Sequence, residues 1–426
     1  MSSIKTRFLK NTSWLLAGNL FRMVFQFVVN ILIARYLGPE LQGTVNYVAT
    51  YTAFFTSLVS LGLNGVIIHE LVNHEDQSEI LGTSIMLRGI IGILSAGIMI
   101  AILFFEDPGN SIVIRIAFLQ AIQLPFAALD TIKYWYQKNL ESRKSVLVTT
   151  IAYALSCVYK IYILLTKKSV VWFGFVTSLD IILIGLLYII SYKKEQTDRL
   201  KFGFDTAKRI LKACLPFALA NIMIFIYSKI DTIMIRHMMN SMTMVGYYTT
   251  AVTICGYISF VPTAILDSAR PVIMQAKSSD RVRYERNMKR AILAVMAVGF
   301  LYALGISLAG HYMIKLLFGE AYLGALGSLR IAVWYTAFSF LGSAKSIWLI
   351  CEGKNKYVLY FAVAGAISNV ILNALMIPSG GIEGAAVATL LTQFLTHVAY
   401  PAVIPQTRGF VKWTIEAFSP GRIGRI

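Results

Sequence analysis

Apolar stretches of about 20 residues recur along the chain, and they restrict its fold more than any other feature. A helix of about that length crosses the roughly 30 Å hydrocarbon core of a bilayer. Hydrophobic residues make up 57% of the chain and charged residues 14%, which is too little charge to cover a soluble surface. We predict twelve membrane-spanning helices, near residues 12–35, 44–68, 82–104, 111–132, 145–166, 169–192, 209–235, 245–269, 291–314, 325–351, 357–377 and 382–406.

The length of these stretches also separates the two kinds of structure that span bilayers. Strands of a membrane β-barrel alternate apolar and polar residues and are about half as long. The connections between the stretches are short, so we expect no appended soluble domain. The pattern predicts an all-α polytopic membrane protein.

The distribution of basic residues predicts the orientation of the chain. Its net charge is +18, and 27 of its 39 Lys and Arg residues lie on one set of ends and alternate connections. Because Lys and Arg concentrate on the cytoplasmic side of membrane proteins, we expect both termini to be cytoplasmic and no nucleic-acid partner. Residues 69–80 depart from this pattern, since they carry four acids and no Lys or Arg.

The longest basic connection, residues 193–208, leaves six predicted spans on each side. We therefore predict an N-terminal six-helix bundle over residues 1–192. A second six-helix bundle, with a short basic tail, is predicted over residues 209–426. The segment 193–208 is the expected cytoplasmic linker.

The two halves also resemble each other in sequence. An offset of 201 residues places Arg236 opposite Arg35 and Tyr248 opposite Tyr47. A repeat of six spans keeps the same membrane orientation, so duplication predicts two bundles around a central cavity. Chance alignment of apolar helices is the alternative explanation.

Four segments carry a resemblance to a known family. They are ARYLGPELQGTVNYV (34–48), PFALANIMIFIYSKIDTIMI (216–235), LFGEAYLGALGSLRI (317–331) and NVILNALMIPSGGIEGAAVATLL (369–391). In order and spacing, the chain resembles the polysaccharide transport family. These are the O-antigen (Wzx-type) flippases of the multidrug/oligosaccharidyl-lipid/polysaccharide exporter superfamily.

This resemblance implies a pair of six-helix bundles that alternates access across the membrane. It also implies that the substrate is a sugar repeat unit linked to undecaprenyl diphosphate. The implied location is the inner membrane of a bacterium. A polysaccharide polymerase and a chain-length regulator are the implied protein partners.

Charged residues within the spans are the candidate site residues. A charge at the centre of a span costs about 2.5–3.5 kcal/mol on insertion scales, so such residues usually face protein or water. Apart from Arg35, Arg209, Lys212 and Glu383, which we assign to the connections, basic residues outnumber acids seven to four in the predicted spans. They are spread over all depths, as a path for a lipid diphosphate requires: Arg22, Arg88, Arg115, Lys160, Lys229, Arg330 and Lys345.

Most of these cations have a second interpretation. Arg115, Lys160 and Arg330 lie toward the outer end of their spans and could extend to the lipid headgroups there. Arg88 and Lys345 could do the same at the cytoplasmic end. The position of Arg22 near the midplane leaves it too central to reach headgroups easily, so we expect it to face the cavity.

Two interpretations also apply to Asp180, which lies near the middle of its span. Its carboxylate is either the counter-ion of a span cation or a proton carrier that couples transport to an ion gradient. The counter-ion role is the simpler one. Protons and sodium are the candidate coupling ions.

Motifs for catalysis are missing from the sequence. The His and Cys residues have no metal or redox spacing, and neither a Walker loop nor G-x-S-x-G occurs. We expect no catalytic residue, no bound metal and no cofactor. The aromatic run Tyr134, Trp135 and Tyr136 is interpreted as an interfacial belt at a helix end.

The combined expectation is a flippase that exposes a lipid-linked oligosaccharide at the outer leaflet. Two alternatives stay open. One is a multidrug or cation antiporter of the same superfamily, whose cationic substrates would favour acids in the cavity. The other is a membrane-embedded enzyme of the same glycan pathway.

Overall fold

A computed structural model gives the backbone of residues 2–195 and 199–419. Its side chains are described from Phe25 onward, except at positions 64, 65 and 142. This described part of the chain is helical and contains no β-strand. The prediction of an all-α polytopic membrane protein is thereby confirmed.

The chain folds as two units, residues 1–222 and residues 223–426. A short 3₁₀ turn at Ala127–Thr131 interrupts the helices of the first unit. The last helix, α9, begins in the first unit and ends in the second. These helices are α1 (Ser2–Ser60), α2 (Leu63–Asn73), α3 (Gln77–Glu106), α4 (Ser111–Ala121), α5 (Gln123–Phe126), α6 (Ile132–Lys138), α7 (Ser142–Leu165), α8 (Val170–Glu195) and α9 (Phe204–Met239).

The second unit is interrupted by 3₁₀ turns at Tyr257–Ser259 and Glu320–Ala325 and by a π-helical turn at Leu395–Ala399. The predicted division of the chain at residues 193–208 stays a prediction. The remaining helices are α10 (Met242–Gly256), α11 (Phe260–Ser279), α12 (Arg281–Leu317), α13 (Leu326–Ala332), α14 (Tyr335–Cys351), α15 (Lys356–Phe394), α16 (Tyr400–Val403) and α17 (Arg408–Ala417).

Each of the twelve predicted spans falls on helical structure, although several helices are broken or fused. Within the described residues, eight helical segments are long and apolar enough by themselves to cross a membrane. The longest, Lys356–Val403, contains the eleventh predicted span and most of the twelfth. The tenth predicted span is divided between α13 and α14 by a turn at residues 333–334.

Two glycines allow successive spans to follow each other without a loop. Gly38 interrupts α1 with a φ of 71°, and Pro39 follows it directly. Gly381 interrupts α15 with a φ of 56°, three residues after Pro378. Side-chain-bearing residues rarely adopt such left-handed φ values, so glycine permits each sharp change of direction.

The acidic connection at 69–80 has its partners in the basic segment around the start of α9. Arg209 Nε donates to Glu70 Oε2 at 2.8 Å, and Thr206 Oγ1 donates to Glu79 Oε1 at 2.7 Å. The backbone N–H of Lys201 also donates to Ser78 O at 3.3 Å. These contacts place the acidic connection beside a basic one, which explains how it departs from the charge pattern of the other connections.

A second ion-paired cluster ties α11, α12 and α14 together in the second unit. Lys277 Nζ and Arg281 Nη1 donate to Glu352 Oε1 at 2.6 and 2.8 Å. Burial raises the pKa of the Glu352 carboxyl, but these two hydrogen bonds outweigh it and hold the pKa below its usual range. The cluster therefore favours the folded state while Glu352 is ionised, and weakens as falling pH protonates it.

The interfacial role predicted for the aromatic run is wrong, because all three rings are buried inside the first unit. Trp135 Nε1 donates to Gln77 Oε1 at 3.2 Å, and the ring packs edge-on against Tyr192 with centroids 5.5 Å apart. The Tyr136 hydroxyl lies 2.8 Å from Ser191 Oγ. The polar atoms of Trp135 and Tyr136 therefore meet protein partners rather than headgroups.

Candidate functional site

Arg88 is buried in the first unit, where three acceptors surround its guanidinium. Nη1 donates to Asp130 Oδ1 at 2.6 Å and to Thr131 Oγ1 at 2.7 Å, and Nε donates to Val59 O at 3.0 Å. Lys133 Nζ donates to the other Asp130 oxygen at 2.8 Å. The 3₁₀ turn positions Asp130 and Thr131 for these contacts. Arg88 therefore connects α3 to the break in the fourth predicted span.

Lys160 and Asp180 form an ion pair between α7 and α8. Lys160 Nζ lies 3.1 Å from Asp180 Oδ2, and the exposed fractions of the two side chains are 4% and 13%. Each charge offsets the cost of burying the other. This geometry favours the counter-ion interpretation of Asp180 over the role of a proton carrier.

The other predicted cations have different environments. Arg115 on α4, Lys229 on α9 and Arg330 on α13 are exposed at the surface of their own units. None of the three has an ion-pair partner among the residues that the structure describes. The side chain of Arg22 lies outside the described residues.

Lys345 is buried on α14 without a carboxylate partner in the described part of the chain. Its Nζ donates to Thr396 O at 2.7 Å and lies 4.2 Å from the centroid of the Phe361 ring. A hydrogen bond from an ammonium and a cation–π contact both stabilise the charge. Neither of them neutralises it.

Asp231 is a buried carboxylate that the sequence interpretation did not select for a functional role. It accepts hydrogen bonds from the backbone N–H of Thr232 at 2.8 Å, from Thr389 Oγ1 at 3.2 Å and from the Tyr248 hydroxyl. No Lys, Arg or His side chain forms a salt bridge with it within the described chain. Asp231 is thus a buried acid surrounded by hydroxyl and amide donors.

The break in α15 places further polar side chains beside one another, close in sequence to Thr389. Asn369 Nδ2 donates to Thr392 Oγ1 at 3.3 Å across the break at Gly381, and Asn373 Nδ2 donates to Asn369 Oδ1 at 3.0 Å. The Oδ1 atom of Asn373 is buried without a hydrogen-bond partner. A signal for this cluster was present, because Asp231 and these Asn residues lie in two of the four family-like segments.

A related contact occurs in the first unit. The Tyr47 hydroxyl donates to Glu106 Oε2 at 3.2 Å, and the Tyr51 hydroxyl donates to the same oxygen. Tyr47 is the residue that the 201-residue offset places opposite Tyr248. Each unit therefore has a buried tyrosine at this position that donates to a carboxylate.

Comparison with known sequences identifies two family models. A model described as polysaccharide biosynthesis protein matches residues 8–277, which is more than half of the chain. A model described as MatE matches residues 216–375. One curated relative, the capsular polysaccharide biosynthesis protein CapF of Staphylococcus aureus, is 22% identical over 409 residues. That match covers 92% of this chain and 98% of CapF.

Solved structures of membrane transporters share the fold. An inward-facing multidrug resistance MATE family transporter of the MOP superfamily matches with a TM-score of 0.72 at 15% identity, over 93% of this chain and 94% of that one. The lipid II flippase MurJ, in an inward closed conformation, matches with a TM-score of 0.68 at 16% identity, over 95% and 90% of the two chains. At these identities the likeness establishes the fold.

The Lys160–Asp180 pair gives a direct test of how charge is held in this fold. Replacing Lys160 by Met leaves a buried carboxylate without its counter-ion, which we expect to destabilise the protein by about 3–5 kcal/mol. The double variant Lys160→Met with Asp180→Asn removes both charges and should recover most of that loss. Unfolding of the purified variants in detergent measures both effects. Additive losses in the double variant would show that the two residues do not interact.

Proposed function

This chain belongs to the polysaccharide biosynthesis protein family, and on that premise we propose that it is a flippase. Its substrate is an oligosaccharide repeat unit linked to undecaprenyl diphosphate. It moves this lipid from the cytoplasmic to the outer leaflet for synthesis of a cell-surface polysaccharide. The capsular relative CapF and the shared fold with the lipid II flippase MurJ support the assignment.

The charge left within the spans is the observation that carries the proposal. Asp130, Asp180 and Asp267 each lie within 4 Å of a basic side chain. After this pairing, four span cations form no salt bridge in the described part of the chain, although the charge of Lys229 acts on the Asp231 carboxylate. These four cations are Arg115, Lys229, Arg330 and Lys345. A substrate with a negative headgroup suits this surplus of positive charge better than a cationic drug does.

Physical chemistry explains why such a lipid needs a protein path. Each sugar hydroxyl taken into hydrocarbon without a hydrogen bond costs a few kcal/mol, so an oligosaccharide cannot cross the bilayer unaided. The polyprenyl tail can stay in the lipid throughout. A membrane potential contributes about 2.3 kcal/mol per charge per 100 mV, and a negative interior favours outward movement of an anion.

The cellular setting follows from the same proposal. The protein lies in the inner membrane of a bacterium with both termini in the cytoplasm. It makes and breaks no covalent bond in the glycan. A polymerase and a chain-length regulator act on the delivered repeat unit, and these are the proposed partners.

We place ion coupling at Asp231 rather than at Asp180. Asp180 already has Lys160 as its counter-ion, whereas Asp231 is buried among hydroxyl groups. A carboxylate among oxygen atoms is a suitable environment for a proton or a hard cation such as sodium. Reversible occupancy of this acid would link the conformation of the second unit to an ion gradient.

A multidrug antiporter is the second candidate function. The buried acid Asp231 and the fold shared with a MATE transporter favour it. The surplus of unpaired basic residues in the spans speaks against cationic substrates. A transport assay with both kinds of substrate separates the two candidates.

Transport is tested with purified protein in vesicles. We expect protein-dependent movement of a fluorescent, undecaprenyl-diphosphate-linked oligosaccharide between leaflets, no transport of ethidium, and an unaltered glycan. The double variant Lys229→Gln with Arg330→Gln should slow flipping by roughly tenfold, because charge-assisted contacts with the diphosphate are lost. Lys412→Gln, an exposed cation on α17, is the matched control. Ethidium transport without flipping would support the antiporter, and a lengthened or shortened glycan would support an enzyme.

Coupling has its own test in the same vesicles. We expect Asp231→Asn to abolish the dependence of flipping on an imposed proton or sodium gradient while the protein stays folded. The double variant Lys160→Met with Asp180→Asn should keep that dependence, since it removes an ion pair and not the coupling acid. Gradient-dependent flipping by Asp231→Asn equal to that of the wild type would contradict the assignment.

A further inference from the structure

A small cavity of about 50 Å³ lies inside the second unit, bordered by α9, α14, α15 and the π-helical turn. Such a volume has room for roughly three to five water molecules. It therefore suits one compact polar group rather than a whole sugar or lipid. Three residues supply the polar groups that matter here: Lys345, Thr396 and His397.

Lys345 is the only one of these three residues whose side chain is ordinarily charged at neutral pH. An ammonium has three N–H donors, and one of them is used in the bond to Thr396 O. The side chain is buried, with 4% of its surface exposed, and no carboxylate of the described residues forms an ion pair with it. A buried cation without a counter-ion is destabilising, so an anionic ligand at this position would stabilise the protein.

The π-helical turn adds two more polar atoms without partners. Thr396 Oγ1 and His397 Nδ1 are both buried and have no hydrogen-bond partner. A π turn inserts one extra residue into a helix, and such turns occur frequently at functional sites. The turn at Leu395–Ala399 therefore places a hydroxyl and an imidazole beside the cavity that contains Lys345.

Two glycines leave the space that these side chains occupy. A Cβ atom at Gly365 would lie 2.7 Å from Thr396 Oγ1, and one at Gly342 would overlap the His397 ring. The distance from the Gly342 Cβ to His397 Cε1 would be 2.4 Å, and both contacts are shorter than packed atoms tolerate. Close approach of the turn to α14 and to the first part of α15 thus depends on the absence of a side chain at both positions.

The three polar groups together select the chemistry of the occupant. The ammonium only donates hydrogen bonds and repels cations, while the hydroxyl can donate, and so can the imidazole nitrogen when it carries the proton. A neutral sugar hydroxyl would leave the Lys345 charge unpaired. A phosphoryl group offers several anionic oxygens within a compact volume, and Lys binds phosphate as a point charge.

We propose that this cavity binds a phosphoryl group of the transported lipid. The choice of the lipid diphosphate as its source rests on the proposed function. Leu349 and Val358 line the cavity near the connection at residues 352–355, which is cytoplasmic in the predicted topology. A lipid completed on the cytoplasmic side would reach this cavity early in transport.

Binding to the full-length protein in detergent tests the site with three probes in phosphate-free buffer. These are undecaprenyl diphosphate, undecaprenol and inorganic diphosphate, with the bound species counted by native mass spectrometry. We expect the wild type to bind undecaprenyl diphosphate at least tenfold more tightly than undecaprenol. Lys345→Met should lose at least tenfold in that preference, whereas Lys345→Arg should keep most of it. Lys412→Met is the control for a generic loss of positive charge.

Thermal unfolding keeps the test informative if a variant binds poorly. Without ligand, Lys345→Met should be as stable as the wild type or more stable, because it removes an unpaired buried charge. Undecaprenyl diphosphate should raise the Tm of the wild type but not that of Lys345→Met. Equal binding by the wild type and Lys345→Met would overturn the cavity assignment.

The remaining outcomes separate this site from the proposed function. Binding of inorganic diphosphate that requires Lys345, without competition from the lipid, would keep the phosphoryl site and overturn its lipid source. Flipping by the wild type together with unchanged binding by Lys345→Met would overturn the site alone. Binding that requires Lys345 in a protein that flips no glycolipid would overturn the proposed function and leave a phosphoryl site.

Discussion

A charged side chain inside hydrocarbon must have a counter-ion, water or a charged substrate, and the placement of polar groups in this protein depends on that requirement. The spans contain more basic than acidic residues, so internal pairing cannot neutralise all of them. Two span cations are neutralised by ion pairs, Arg88 with Asp130 and Lys160 with Asp180. These pairs connect neighbouring helices and give the first unit fixed polar contacts within its apolar packing.

We propose that the span cations without a salt bridge to an acid contact the substrate. Exposed residues such as Arg115 and Arg330 can meet water or an anionic headgroup, whereas buried Lys345 borders a cavity with further hydrogen-bonding atoms. Asp231 is the opposite case, a buried acid held by hydroxyl and amide donors. An anionic lipid as cargo and a cation as coupling ion would satisfy these two kinds of site separately.

Features that depend on local sequence were predictable, and those that depend on three-dimensional neighbours were not. Span length and hydropathy predicted the helices, but the 3₁₀ turn that presents Asp130 to Arg88 has no distinctive local signal. The sequence placed Lys160 and Asp180 in adjacent spans, yet only packing showed that they pair. The ring type of Trp135 predicts a position at the membrane–water interface. Its hydrogen bond to Gln77, which is distant in sequence, instead stabilises it inside the first unit. His397 has no functional signal in the sequence, and only the π-helical turn and the cavity beside it make it a candidate site residue.

If the span cations without salt bridges contact an anionic glycolipid during transport, thiols at their positions should be accessible to water and protected by that lipid. Arg115, Lys229 and Arg330 are replaced one at a time by Cys in a variant that lacks the four native cysteines. Each is then labelled in vesicles with a charged, membrane-impermeant thiosulfonate. We expect all three to react and undecaprenyl-diphosphate-linked oligosaccharide to protect them. Thiols that react equally with and without the glycolipid would place these residues at ordinary headgroups and contradict the claim.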